Sequence, residues 1–173
     1  VIYVNLIRGV PMIVLAFFVF YGVPYGLRNI FGLKFVLTPL QAGTICLALN
    51  CGAYMSEIIR AGIQSIDPGQ MEAGRALGLS YGTTMMKIVI PQAIKNILPT
   101  LGNEFIALIK DTSVVSFVAA TDLYKTFTEI GNVRYEYFMP YLAMALMYMI
   151  LVLLISWGVK AMERSLRKSD RRN

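Results

Sequence analysis

Residues 72–91 read EAGRALGLSYGTTMMKIVIP, a polar stretch punctuated by glycine, and the segments on either side are apolar over lengths that suit a bilayer. A turn precedes it, Ile66-Asp67-Pro68-Gly69-Gln70. There Asp67 can cap a helix and Pro68 can take the first helical position, where its missing N–H costs nothing. A short helix over Met71 to Leu77 is predicted next. Gly78 tolerates a positive φ and can end that helix, and Ser80 can cap a second helix running toward Pro91. The stretch reads as helix, sharp glycine bend and helix, all outside hydrocarbon.

The flanking sequence supplies the hydrocarbon-facing part. Of the 173 residues 57% are hydrophobic and 15% charged, whereas soluble domains carry roughly a quarter charged. A soluble bundle needs polar residues on every outward helix face, yet several segments here are apolar for the ~20 residues that a crossing requires. The predicted class is an all-α integral membrane protein, a single membrane domain over residues 1–173. Four spans are expected, at about 4–23, 40–59, 101–120 and 141–159, with the polar connection at 66–97. Arg8 is expected to snorkel from the first span. Residues 25–38 read as an interfacial loop rich in aromatic side chains, and residues 121–139 as a mixed-charge loop with a short helix.

The third span is too polar to face lipid. It holds Asn103, Glu104 and the block Lys110-Asp111-Thr112-Ser113, so a break or a water-lined face is expected at that block. Charge asymmetry sets the orientation. Of the 16 Lys and Arg, eleven fall on one side (Arg8, Arg60, Arg75, Lys87, Lys95 and six in the tail from Lys160 onward). Four fall on the other side (Arg28, Lys34, Lys125, Arg134), and Lys110 lies within a span. The positive-inside rule then makes residues 66–97 and the C-terminus cytoplasmic. The net charge of +6 is accounted for by these membrane flanks and the tail, which argues against a nucleic-acid partner.

Enzyme chemistry finds little support. There is no histidine and no clustered metal ligand set, and Cys46 and Cys51 fall within one apolar segment as packing thiols. Gly74, Gly78 and Gly82 lack the lysine of a phosphate-binding loop, and no nucleophile elbow occurs.

At residues 72–91 the sequence resembles the EAA loop of ATP-binding-cassette importer permeases: Glu-Ala-Ala, three residues, Gly, nine residues, Ile, one residue, Leu-Pro. Here stand Glu72-Ala73-Gly74, then Gly78, Ile88 and Ile90-Pro91, with both spacings intact; Gly74 replaces the second Ala and Ile90 replaces Leu. Three phrases resemble the polar-amino-acid branch: RGVP (Arg8–Pro11), LNCGAYMSEIIRAGIQSI (Leu49–Ile66) and LIKDTSVVS (Leu108–Ser116). The resemblance implies a type I, MetI-like permease fold in the bacterial inner membrane. With the chain opening on Val1 rather than Met, one further span is expected upstream.

The implied function is that of the permease subunit of an ATP-driven importer for polar amino acids. The chain itself would be non-catalytic and bind no cofactor, with ATP and Mg on a partner. The partners implied are a cytosolic ATP-binding subunit, a second permease copy or homologous permease, an extracytoplasmic amino-acid-binding protein and the lipid bilayer. Glu72, Ala73, Gly74, Gly78, Ile88 and Pro91 are the candidates for coupling to the ATPase subunit. Asn50, Glu57, Lys110, Asp111 and Ser113 are the candidates for a pathway able to hold a zwitterion. Two alternatives stay open from the residues alone: structural pairing, such as Glu57 with Arg60 at i, i+3, and an autonomous ion-coupled transporter or channel.

Overall fold

The structure, a computed structural model, describes the backbone of residues 1–170 and the side chains of residues 1–164. Of the expected basic tail, Lys160 and Arg164 fall within it, and the side chains of Arg167, Lys168, Arg171 and Arg172 lie outside the described residues. All regular structure described is helical. The order is α1 (Ile2–Gly9), α2 (Met12–Phe17), a π-turn (Phe18–Gly22), α3 (Val23–Phe31), α4 (Pro39–Gln64) and α5 (Pro68–Ala76). Then come α6 (Tyr81–Thr84), a second π-turn (Met85–Val89), α7 (Ile90–Asp111), a 3-10 segment (Thr112–Val118), α8 (Leu123–Arg134) and α9 (Phe138–Asp170).

Among the described residues, three helical paths are long and apolar enough to cross a membrane: Met12–Phe31, Pro39–Gln64 and Phe138–Arg164. They answer to the first, second and fourth expected spans, with the first displaced. Its helix does not begin near Val4, because Val10 is extended (φ −104°, ψ 131°), as a residue before proline prefers. Residues 2–9 therefore form the separate helix α1, with Arg8 in its last turn. At the other end the helix runs past Tyr25 to Phe31, so the expected interfacial loop shrinks to residues 32–38.

Proline explains that overrun. Pro24 has no N–H to donate and its ring presses on the preceding turn. The π-turn Phe18–Gly22 lies immediately ahead of it, and a wider i→i+5 turn accommodates the defect without ending the helix. The same device recurs at Pro91, behind the π-turn Met85–Val89. The helix expected to stop near Pro91 instead continues as α7 through Pro99 to Asp111. The expected span 101–120 is thus the second half of α7 plus the 3-10 segment, and the break foreseen at Lys110–Ser113 falls where α-helix gives way to 3-10 helix.

By its internal contacts the chain groups into two compact units. One comprises Val1–Ala53 and Ile106–Leu154, the other Tyr54–Phe105 and the described residues from Ile155 onward. In the first, Ile7, Leu15, Ala16 and Val19 bury against Ala42, Cys46, Val115 and Val118. The Tyr3 hydroxyl donates to the Leu49 carbonyl at 2.6 Å and ties α1 to α4. Cys46 is buried there as a packing thiol, its Sγ 3.9 Å from the Met12 carbonyl.

In the second unit, Val89, Ala93 and Ile97 form a buried stripe at i, i+4 and i+8 along one helical path. Burial stabilises by roughly 1.5–3 kcal/mol for each larger aliphatic side chain. Glycines set the closeness of the packing. A Cβ on Gly62 would fall 2.1 Å from Ile97 Cγ1, and one on Gly102 would fall 2.5 Å from Val159 Cγ1.

Candidate functional site

The polar module is built by local signals that agree with one another. Asp67 accepts from the Gly69 N–H at 2.8 Å and Pro68 opens α5. At the other end of α5, Gly78 has φ +83°. Its N–H donates to the Arg75 carbonyl at 2.9 Å and the Leu79 N–H to the Gly74 carbonyl at 3.1 Å. These two bonds make a Schellman closure, which satisfies carbonyls that a helix end would otherwise leave bare. Ser80 then caps the next helix, accepting from the Thr83 N–H at 3.2 Å. From Tyr81 the helical path is unbroken through the second π-turn to Asp111.

Side chains lock α5 to this path. Gly74 is buried, and a Cβ placed on it would lie 2.4 Å from Thr84 Cγ2. Thr84 itself is fully buried and its hydroxyl donates to the Ser80 carbonyl at 3.0 Å. Gln92 Nε2 donates both to Gln70 Oε1 (3.2 Å) on α5 and to the Ile88 carbonyl (3.0 Å). Asn96 Nδ2 donates to Ser65 Oγ (3.0 Å) in the turn after α4. The module is a cross-braced piece of helix, bend and helix.

The sequence-derived coupling candidates separate into two groups. Glu72, Ala73 and Gly78 are exposed. Gly74 faces Thr84 within the chain, Ile88 is half-buried with its carbonyl bonded to Gln92, and Pro91 is exposed in the first turn of α7. Beside Glu72 and Ala73 the structure exposes Ala76 and Leu77, the latter 82% accessible. Leu77 was missed by sequence reasoning. Its signal was an apolar residue four positions beyond Ala73 on a helix assigned to water, where a bare leucine marks a contact surface once it has neighbours.

Four of the five pathway candidates fall in the first unit and one in the second. Asn50 is buried in α4, in the first unit, as are the half-buried Asp111 and Ser113 and the exposed Lys110 at the end of α7. Glu57 belongs to the second unit and is bound by Arg60, with Nη2 2.6 Å and Nε 3.2 Å from its two carboxylate oxygens. This is the i, i+3 alternative that the spacing offered. Ser113 also has an internal task. Thr112, Ser113 and Ser116 each donate their hydroxyl to the carbonyl three residues back (Ile109, Lys110 and Ser113) at 2.7–2.8 Å. These bonds occupy carbonyls left by the change from α to 3-10 hydrogen bonding.

Three bilayer-length apolar helices among the described residues, with a braced polar module between the second of them and the proline-containing α7, define a polytopic helical membrane protein. Residues 1–168 match the model of the family described as binding-protein-dependent transport system inner membrane component, and the chain belongs to that family. It is 39% identical over 168 residues to the probable glutamine ABC transporter permease protein GlnM of Bacillus subtilis (strain 168), covering 96% of this chain and 74% of that protein. A solved structure described as an amino acid ABC transporter with histidines is 42% identical, with a TM-score of 0.85 over 94% of this chain and 73% of that one. The fold extends to an inward-facing MetNI methionine ABC transporter at 22% identity and a TM-score of 0.75, over 94% of this chain and 72% of that one. The MetI-like fold and the multi-pass inner-membrane setting follow from this membership.

Proposed function

We propose that this chain is the permease subunit of an ATP-driven importer for polar amino acids, and that the α5 module is where a cytosolic ATP-binding subunit grips it. The observation that carries the reading is the module itself. Glu72, Ala73 and Ala76 on α5, with Leu77 at its C-terminal cap, form an exposed surface, and the Gly74–Thr84 contact joins that helix to a path running unbroken to Asp111. A push on α5 is transmitted because the Schellman bend and the Gln70–Gln92 bond leave it no independent hinge. Glu72 is placed to accept charge-assisted hydrogen bonds from a partner, and Leu77 offers the apolar anchor that contact surfaces use.

The amino-acid class rests on relatives named for glutamine and for an amino acid transporter with histidines, together with the polar groups Asn50, Lys110 and Asp111 in the first unit. This chain holds no phosphate-binding loop, so ATP and Mg are assigned to the partner subunit. A second permease copy or homologue and an extracytoplasmic binding protein complete the assembly. By the charge asymmetry, residues 66–97 and the C-terminus face the cytoplasm. Glu57 is assigned to its bond with Arg60 rather than to substrate, which removes one of the two carboxylates an ion-coupled carrier would have used.

Cysteine cross-linking tests the contact. Ala73→Cys and Leu77→Cys should each form a disulfide or short bismaleimide link to the ATP-binding subunit in membranes. A cysteine at Lys34, in the loop 32–38 that the charge asymmetry puts on the opposite side, should not. Absence of any link from either α5 position would remove the docking assignment.

A further inference from the structure

We propose that this chain carries a binding site for an anionic phospholipid, formed by an apolar groove and the cationic pocket at its end. The groove, about 580 Å³, lies within the first unit between α1–α3 and the first half of α4. Every residue lining it is apolar, among them Val10, Val14, Phe18, Phe35, Ile45 and Leu49. From Val14 to Val23 the helix rises roughly 14 Å at 1.5 Å per residue, close to the ~15 Å that one leaflet contributes to a ~30 Å hydrocarbon core. An acyl chain fits such a trough in length and in chemistry.

What selects a lipid over another helix is the far end. Phe35 also lines an adjoining pocket of about 500 Å³ whose other walls include Tyr25, Arg28 and Lys34. Among the described residues no carboxylate pairs with Arg28 or Lys34, and both side chains are exposed. Tyr25 beside them is 72% accessible, and with Arg28 it lies in the last two turns of the Met12–Phe31 path, next to the loop that carries Lys34. An apolar trough leading into two unneutralised cations is the complement of one molecule, a phosphate ester carrying acyl chains. Arg and Lys side chains hold phosphate oxygens by charge-assisted hydrogen bonds. A transmembrane helix laid in the groove would fill the trough by apolar contact alone, and it is the competing occupant.

Native mass spectrometry of the complete transporter complex, with dioleoyl phosphatidylglycerol and dioleoyl phosphatidylcholine supplied in equal amounts, tests this. The expected result is retention of phosphatidylglycerol roughly thirtyfold over phosphatidylcholine, as two cations near a headgroup provide. Retention should fall to the phosphatidylcholine level in the double variant Arg28→Glu/Lys34→Glu. Groove filling by Val14→Trp should lower retention while Arg28 and Lys34 remain. Equal retention of the two lipids by the unaltered complex would overturn the proposal, and that arm needs no variant to assemble. Displacement of the lipid by inorganic phosphate alone would reduce the site to an anion pocket and equally overturn it. So would cross-linking of Val14→Cys to another polypeptide in the membrane, because the groove would then be filled by protein.

Discussion

Gly74 shows how one residue decides whether the polar module closes. In the resembled motif an alanine stands here, and alanine is the better helix former by about 1 kcal/mol. Here, however, its Cβ would meet Thr84 Cγ2 at 2.4 Å, and overpacking typically costs about 1–3 kcal/mol. The steric effect wins. Gly74→Ala should lower the melting temperature of the purified complex, and Thr84→Ala in the same chain should restore most of the loss; additive losses would show that the two residues do not meet. Glu57→Gln breaks the Arg60 pair, but exposed pairs of this kind contribute about 0–1 kcal/mol. It should leave uptake within about twofold of wild type, and a collapse of uptake would return Glu57 to the substrate pathway. Asp67, Gly78 and Ser80 were legible in the sequence because a cap or a positive φ is a local property of the chain. The Gly74–Thr84 contact was not, since it depends on how two helices fold back on each other.

Among the elements, α7 and its 3-10 extension depart most from expectation. Lys110-Asp111-Thr112-Ser113 announced a break, and the helix type does change there, but the three hydroxyls are engaged with backbone carbonyls rather than left open. An unpaired buried carbonyl costs about 1–3 kcal/mol. Thr112→Val with Ser116→Ala should therefore lower thermal stability, and at permissive temperature should leave the KM for uptake unchanged. A rise in KM with unaltered stability would instead place these hydroxyls on substrate. The overrun of α3 and α7 was illegible for one shared reason. Pro24 follows the expected end of the first span and Pro91 is the point toward which the second helix is expected to run, and nothing in their spacing announces that a π-turn will absorb a residue that lacks a donor. The break before Pro11 carries the same residue with the opposite outcome: Val10 is extended and no widened turn precedes it.

At the scale of the whole molecule, composition and hydropathy were enough for the helical membrane class, and the family match over residues 1–168 agrees with it. What composition could not supply is the division into two compact units, which depends on contacts between segments far apart in sequence. Orientation is checked by labelling intact cells with a membrane-impermeant maleimide. Lys34→Cys should react from outside and Ala73→Cys only after the membrane is opened; the reverse pattern would invert the assignment. The coupling role of the module is tested most directly in the complete complex, reconstituted with its ATP-binding subunit and binding protein, by measuring amino-acid-stimulated ATP hydrolysis and uptake together for Glu72→Lys and Leu77→Asp. Docking through α5 predicts that both activities fall together by at least about tenfold, the ~1.4 kcal/mol equivalent of a lost contact, while the permease pair stays assembled. Undiminished hydrolysis and uptake in both variants would contradict it.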